Sequence, residues 1–202
     1  MANDLFERYF TDAEERQLMN AIKRIKGVWA ERDYCWIRFI RLTGIRIRPL
    51  AYLTVGDAIL AIDVGYLEIG EFNKRKKHQK IPLVNESVSL LKKLVNLHRK
   101  IGMDSELAEH DRPLVLSRNN SGLSQRGFQK RFEFWIKESG LRRGSIHWLR
   151  HTFAKRFLTR NGNSANALLA VHKLLGHSDL KTTMIYTTPD KESIKEMLNN
   201  AR

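Results

Sequence analysis

Residues 146–154 read Ile146-His147-Trp148-Leu149-Arg150-His151-Thr152-Phe153-Ala154. The stretch fits a helix running on to Arg160, and on a helix His147, Arg150 and His151 fall at i, i+3 and i+4, sharing one face. Two imidazoles and a guanidinium on one face are an unusual group to present together. A helical metal pair is one reading of His147 with His151. The zinc-peptidase pattern, however, needs a glutamate where Trp148 stands, so no metal site is expected.

Outward from this helix the sequence supplies complementary groups. Downstream come Leu174-Leu175-Gly176-His177-Ser178 and, nine residues after His177, Tyr186. Upstream, Thr43-Gly44-Ile45-Arg46 sets an arginine at the mouth of a helix, just after a glycine turn. These are parts suited to breaking a phosphodiester without metal. Two arginines can each grip a phosphate fork-to-fork and offset the charge that grows on its non-bridging oxygens. A tyrosine hydroxyl can attack phosphorus if a base or a positive field helps remove its proton, since its reference pKa is about 10. Histidine moves protons near neutrality, and a lysine beside the departing 5′ oxygen can serve as general acid. Taken singly, Arg46 reads as a solvated helix-start arginine and Tyr186 as a packing residue beside Met184 and Ile185.

The remaining chain reads as helices around a small sheet. Thr11-Asp12-Ala13-Glu14 has capping-box spacing and opens a helix with Leu18, Ile22 and Ile25 on one face, ended at Gly27. A second helix spans about Glu31 to Thr43 and is stopped by Gly44; a short one follows with Pro49 in its first turn, where a missing N–H costs nothing. Ala58–Ile62 and Tyr66–Ile69 read as strands, and a third holds Lys80-Ile81-Pro82-Leu83, with Pro82 marking an edge or an end. Asn73 to Lys80 is the most basic run. Helices are then expected over Glu86–Ile101, Ser124–Glu138, Ile146–Arg160 and Ala165–Leu175, with a short one after Ser178. The fold class is mainly α with a small antiparallel β-sheet (α+β).

Composition narrows the partner. Thirty-six Lys+Arg against 22 Asp+Glu leave a formal charge of +14 over 202 residues, which calls for a polyanion, either nucleic acid or an anionic membrane surface. An apolar share of 42%, four prolines and twelve glycines are ordinary for a globular chain. The single cysteine, Cys35, rules out an intrachain disulfide framework and suits a reducing compartment, where it reads as a small core residue. No apolar stretch approaches the roughly 18 residues of a spanning helix. Nor does the N-terminus, with Asp4 and Glu7, resemble a signal peptide. A cytoplasmic protein that handles nucleic acid, away from membranes, is expected.

In order along the chain, Thr43-Gly44-Ile45-Arg46, Lys74, His147-Trp148-Leu149-Arg150-His151, Leu175-Gly176-His177 and Tyr186 resemble the motif set of the tyrosine recombinases, the phage integrase family. The likeness runs from about Thr11 to Thr188. It implies a catalytic-domain fold and a site-specific recombinase that cleaves and rejoins double-stranded DNA through a 3′-phosphotyrosyl intermediate, with no cofactor. Arg46 and Arg150 would clamp the scissile phosphate, His147 would assist proton removal from Tyr186, and His177 would hydrogen-bond a non-bridging oxygen. By the same resemblance Lys74 would be the general acid, since the family places that lysine eight residues before the proline of the following strand, here Pro82, with Arg75, Lys76 and Lys77 as close alternatives. Arg75, Lys76, Lys77 and Lys80 would contact the DNA strand.

The resemblance also sets expectations about assembly. Residues 1–202 would form one catalytic domain, with a core over about 11–188 and a tail, 189–202, that docks on a neighbouring protomer. The separate N-terminal core-binding domain common in the family is expected to be absent. Four copies would act on two duplexes, each a monomer without DNA. The sequence departs from the family three positions after Arg46, where an acid is usual and Pro49 stands. Rival readings are a type IB topoisomerase-like relaxase, a non-catalytic DNA-binding accessory protein, and a basic RNA-binding protein; the last leaves the histidine and tyrosine boxes unexplained.

Overall fold

A computed structural model describes residues 8–70, 79–102, 104–119, 121–176, 179–187 and 198–199. Its first helix, α1 (Asp12–Arg24), opens with the expected capping box: Thr11 Oγ1 accepts from Glu14 N at 3.2 Å, and Glu14 Oε2 accepts from Thr11 N at 2.9 Å. Acids at its start and Lys23 and Arg24 at its end complement the helix dipole. α2 (Val28–Thr43) starts three residues earlier than expected and ends at Gly44, as its sequence indicates. α3 (Ile47–Tyr52) takes Pro49 into its first turn.

The strand expected over Ala58–Ile62 is instead the middle of a helix, α4 (Val55–Val64). The reason is local: Thr54 Oγ1 accepts from Asp57 N at 3.1 Å while the Asp57 carboxylate accepts from Thr54 N at 2.9 Å, a second capping box. A short apolar run does not by itself separate a strand from a buried helix. Ala58 and Ala61 face inward, one turn apart.

β1 (Tyr66–Ile69) and β2 (Gln79–Pro82) pair antiparallel, with Tyr66 opposite Pro82 and Leu67 opposite Ile81. Leu67, Ile69 and Ile81 point to the core, while Glu68 and Lys80 point to solvent. Pro82 closes the strand where its missing N–H breaks no ladder. Then follow α5 (Asn85–Ile101), a 3₁₀ turn (Glu109–Asp111), α6 (Gln125–Glu138), α7 (Ile146–Arg160), α8 (Ala165–Leu175) and the short α9 (Lys181–Met184).

Among the described residues two hydrophobic clusters form. The larger surrounds α2, whose Trp36, Ile37, Phe39 and Ile40 meet Leu91 and Leu94 of α5 and Phe128, Phe132 and Trp135 of α6. Cys35 lies in it, and burial pushes its thiol up to about 11, leaving an unreactive sulfur. Within it Asp33, fully buried, accepts from Arg32, Trp36, Arg131 and Trp135, with Trp135 Nε1 at 2.8 Å and Arg131 Nε at 2.7 Å. The smaller cluster joins Ala154 and Leu158 of α7 to Ala167, Val171 and Leu175 of α8, and includes Tyr186. Phe10 N donates to Thr152 Oγ1 at 2.8 Å, fastening the chain before α1 to the middle of α7. Among the described residues, no helix is long and apolar enough to cross a membrane.

Candidate active site

α2, α7 and α8 converge at Gly44. This residue has φ +65, and a Cβ on it would lie 2.6 Å from Phe153 Cδ1 and 2.8 Å from Leu175 Cδ2. Only glycine allows both the left-handed turn and that approach. Thr43 Oγ1 donates to Phe39 O at 2.7 Å, tightening the last turn of α2. The chain leaves this turn into Arg46, which precedes α3 and is half-buried.

Arg150, on α7, is only 8% exposed. Its Nη1 donates to Gly44 O, and its Nη2 to Leu175 O at 2.6 Å. The guanidinium is therefore oriented by two neutral carbonyls, one from the end of α2 and one from the end of α8. Five N–H groups are available on an arginine, and these two bonds to carbonyls are the ones it makes among the described residues. Burial, reinforced by the charge of Arg46, pushes Arg150 down to about 9, so it remains a cation at neutral pH. Burial lowers Arg46 too, while the nearby Tyr186 phenol acts in the opposite direction.

His147 is exposed at the start of α7. Partial burial of its ring, then the charges of Arg150 and Arg46, push its pKa below the ordinary histidine value. It is thus neutral near pH 7, with a nitrogen able to accept a proton. His151, one turn along from His147, is pushed to about 4, first by burial and then by Arg150 and His147. Tyr186 is 7% exposed. Burial raises its pKa, while Arg150 and Arg46 pull it the other way. Its ring lies 5.4 Å from that of His151, tilted by 53°.

Arg46, His147, Arg150 and Tyr186 are therefore gathered in one place. Lys74, Arg75, Lys76, Lys77 and His177 lie outside the described residues. Lys80 is exposed on β2, opposite Glu68, with its Nζ 4.6 Å from the centre of the Tyr66 ring. Among the described residues, no group of three or more His, Cys, Asp or Glu side chains could hold a metal ion.

Three features of the site have no functional role assigned from the sequence, which reads His172 as a helix-end or surface histidine. His151 packs on Tyr186; its spacing put it on the same face as His147 and Arg150 but gave it no task. Gln79, the first residue of β2, donates through Nε2 to Leu174 O, and a Cβ on Gly176 would fall 2.7 Å from its Oε1. Nothing near Gln79 in the sequence signals that contact. His172 Nδ1 meets Thr183 Oγ1 at 3.2 Å, tying α8 to the short helix that leads to Tyr186.

The sequence pattern of the phage integrase family matches residues 8–193. The chain belongs to that family. The tyrosine recombinase XerC of Neisseria meningitidis serogroup B is 32% identical to it over 173 residues, which is 85% of this chain and 52% of that protein. XerC of Proteus mirabilis is 32% identical over 189 residues, 93% of this chain and 57% of that protein. This integrase-family chain thus spans about half the length of the curated relatives it matches. The crystal structure of XerA recombinase superposes with a TM-score of 0.74 at 22% identity, covering 96% of this chain and 65% of that one. The Tn1549 transposon integrase in complex with transposon right end DNA gives 0.76 at 19% identity, over 99% and 68%. These likenesses establish the fold as that of the recombinases, mainly helical with a small two-stranded antiparallel sheet.

Proposed function

We propose that this chain is the catalytic part of a site-specific DNA recombinase that cuts and rejoins duplex DNA through a 3′-phosphotyrosyl link at Tyr186. The observation that carries this reading is Arg150: a buried cation held by two backbone carbonyls and coupled to Arg46 and Tyr186. An arginine so placed keeps its charge for an incoming anion, and a phosphodiester brings the matching geometry.

In the reaction, Arg46 and Arg150 bind the two non-bridging oxygens and stabilise charge as phosphorus becomes five-coordinate. Tyr186 Oη attacks phosphorus and its proton passes to neutral His147. The bond to the 5′ oxygen breaks, and Lys74 donates the proton that makes the 5′ hydroxyl. A 5′ hydroxyl from another strand then attacks the phosphotyrosine and reverses each transfer. His177 supports a non-bridging oxygen, and Arg75, Lys76, Lys77 and Lys80 hold the strand. No step consumes a nucleotide or needs a cofactor, because the phosphotyrosine conserves the energy of the broken bond.

Double-stranded DNA is the partner; family membership and the DNA-bound state of the Tn1549 integrase support this. Four copies act on two duplexes, with the segment 189–202 reaching a neighbour, and each copy is a monomer when no DNA is present. The bacterial cytoplasm or nucleoid suits such a partner, and the XerC relatives are bacterial.

A nicked suicide substrate, from which the 5′ fragment diffuses away, tests the reading. Wild type should accumulate a covalent protein–DNA complex and Tyr186→Phe none; equal trapping by both would refute the assignment. Relaxation of any supercoiled plasmid, with no need for matched sites, would favour the topoisomerase-like activity instead.

A further inference from the structure

Glu15 stands on α1, away from the residues that meet at Gly44, yet it is only 5% exposed. Its Oε1 accepts from Arg38 Nη1 at 2.8 Å and its Oε2 from Arg41 Nε at 2.9 Å, both on α2. Arg156 Nη1, on α7, lies 2.6 Å from the same Oε2. The set extends to two outer acids, as Arg38 Nε donates to Glu86 Oε1 at 2.7 Å and Arg156 reaches Asp12. Three arginines face three carboxylates, so the network is formally neutral. It has no charge left for an outside ligand.

Its placement gives it a different use. Arg41 is two residues before Thr43 and five before Arg46; Arg156 is six after Arg150, or about 9 Å along the helix. One carboxylate oxygen therefore joins the last turn of α2 to the C-terminal half of α7. Those two helices must stay in register for Gly44 O to meet Arg150 Nη1. Three residues after Arg46 stands Pro49, so no carboxylate there can orient that arginine. Glu15 is also the partner that offsets burial at Arg41, which by itself disfavours the cation.

We propose that Glu15 is a positioning residue: by gripping Arg41 and Arg156 it sets the end of α2 against α7, and so aims Arg46 and Arg150 at one phosphate. This rests on the function proposed above. Misplacement of such a clamp by about 1 Å is expected to slow bond cleavage by up to about 100-fold, whereas DNA affinity comes from many phosphate contacts and should scarcely change.

The test compares wild type, Glu15→Gln and Arg156→Gln in two measurements. The first is the single-turnover rate of covalent complex formation with saturating protein, at a temperature where each is folded, beside the Kd for the same DNA. The second follows the Arg150 Nε–H resonance by NMR without DNA. Both variants should lose about 10- to 100-fold in rate with Kd within about threefold, and the Arg150 resonance should shift. The double variant should be no slower than Glu15→Gln alone. Should Glu15→Gln not fold, Arg156→Gln decides, since Arg156 lies at the rim of the network with its side chain 21% exposed. Full rate per folded molecule with an unmoved Arg150 resonance would overturn the proposal and leave Glu15 a structural brace. A wild type that forms no covalent complex would refute the recombinase reading instead; the resonance would then decide the positioning role, supporting it by moving and overturning it by staying.

Discussion

Asp33 and Arg150 are both buried charges, and the protein treats them in opposite ways. Asp33, inside the larger cluster, is surrounded by two guanidiniums and two indole N–H groups, so its charge is answered within the chain. Arg150, where α2, α7 and α8 meet, is answered by two neutral carbonyls. Burial of a charge is therefore not by itself the mark of a site. A compensated charge ties elements together, α2 to α6 in the case of Asp33. An oriented charge that meets no carboxylate among the described residues is, in the function proposed above, kept for an anion from outside, at the cost of desolvation that the rest of the fold must bear.

Removing each charge should separate the two uses. Arg150→Ala is expected to lower the rate of covalent complex formation by about 10³-fold or more, in the range lost with a main transition-state donor. Salt-sensitive DNA affinity should largely survive. Parallel rate and binding titrations check this, and equal losses in a folded variant would count against the clamp. Arg150→Lys should rescue little, because one ammonium cannot keep both carbonyls and a phosphate fork. Asp33→Ala should do the reverse. It leaves two arginines without their acid, at about 3–5 kcal/mol, and should lower Tm by on the order of 10 °C. The rate per folded molecule should be close to that of wild type.

Gly44→Ala probes the seam between the two regions. The added methyl meets Phe153 and Leu175 at a position with positive φ, and it displaces the carbonyl that aims Arg150. Its loss of rate should exceed what its lowered Tm explains; a variant that is merely less stable would break the link between Gly44 and Arg150.

The smallest effect is the pH dependence of stability, to which two histidines contribute. Burial depresses the pKa of His98, which is 2% exposed on α5, and of His151 beside Tyr186, the latter to about 4. Above the ordinary value of 6.5 both folded and unfolded chains hold these rings neutral. As pH falls below it, the unfolded chain takes up protons first. Stability is then lost progressively toward the lower folded values. Thermal melts from pH 8 to pH 4 should show that decline, and His98→Leu should remove part of it. A flat profile would contradict the depressed values.

Sequence and structure agree where local chemistry decides. The Thr11 capping box, the stop at Gly44, Pro49 in a first turn and Pro82 at a strand end each follow from a few adjacent residues. α4 shows the limit: Ala58–Ile62 reads as a strand by its apolar run, although Thr54 and Asp57 already spelled a helix start. Arg46, His147, Arg150 and Tyr186 were legible through spacing and family resemblance, and the structure brings them together. What spacing could not show were contacts between distant segments. Glu15 with Arg156, Asp33 with Arg131 and Gln79 with Leu174 are separated by 141, 98 and 95 residues. None has a pattern of its own; their meaning appears only when helices pack.

The proposed chemistry turns on a covalent bond at one atom, which peptide mapping can locate. Protein trapped on a suicide substrate would be digested with protease and nuclease, and the nucleotide-bearing peptide sequenced by mass spectrometry. A single modified residue is expected, Tyr186, joined through its oxygen to a 3′ phosphate. A nucleotide on another residue, or a 5′-phosphate linkage, would contradict it.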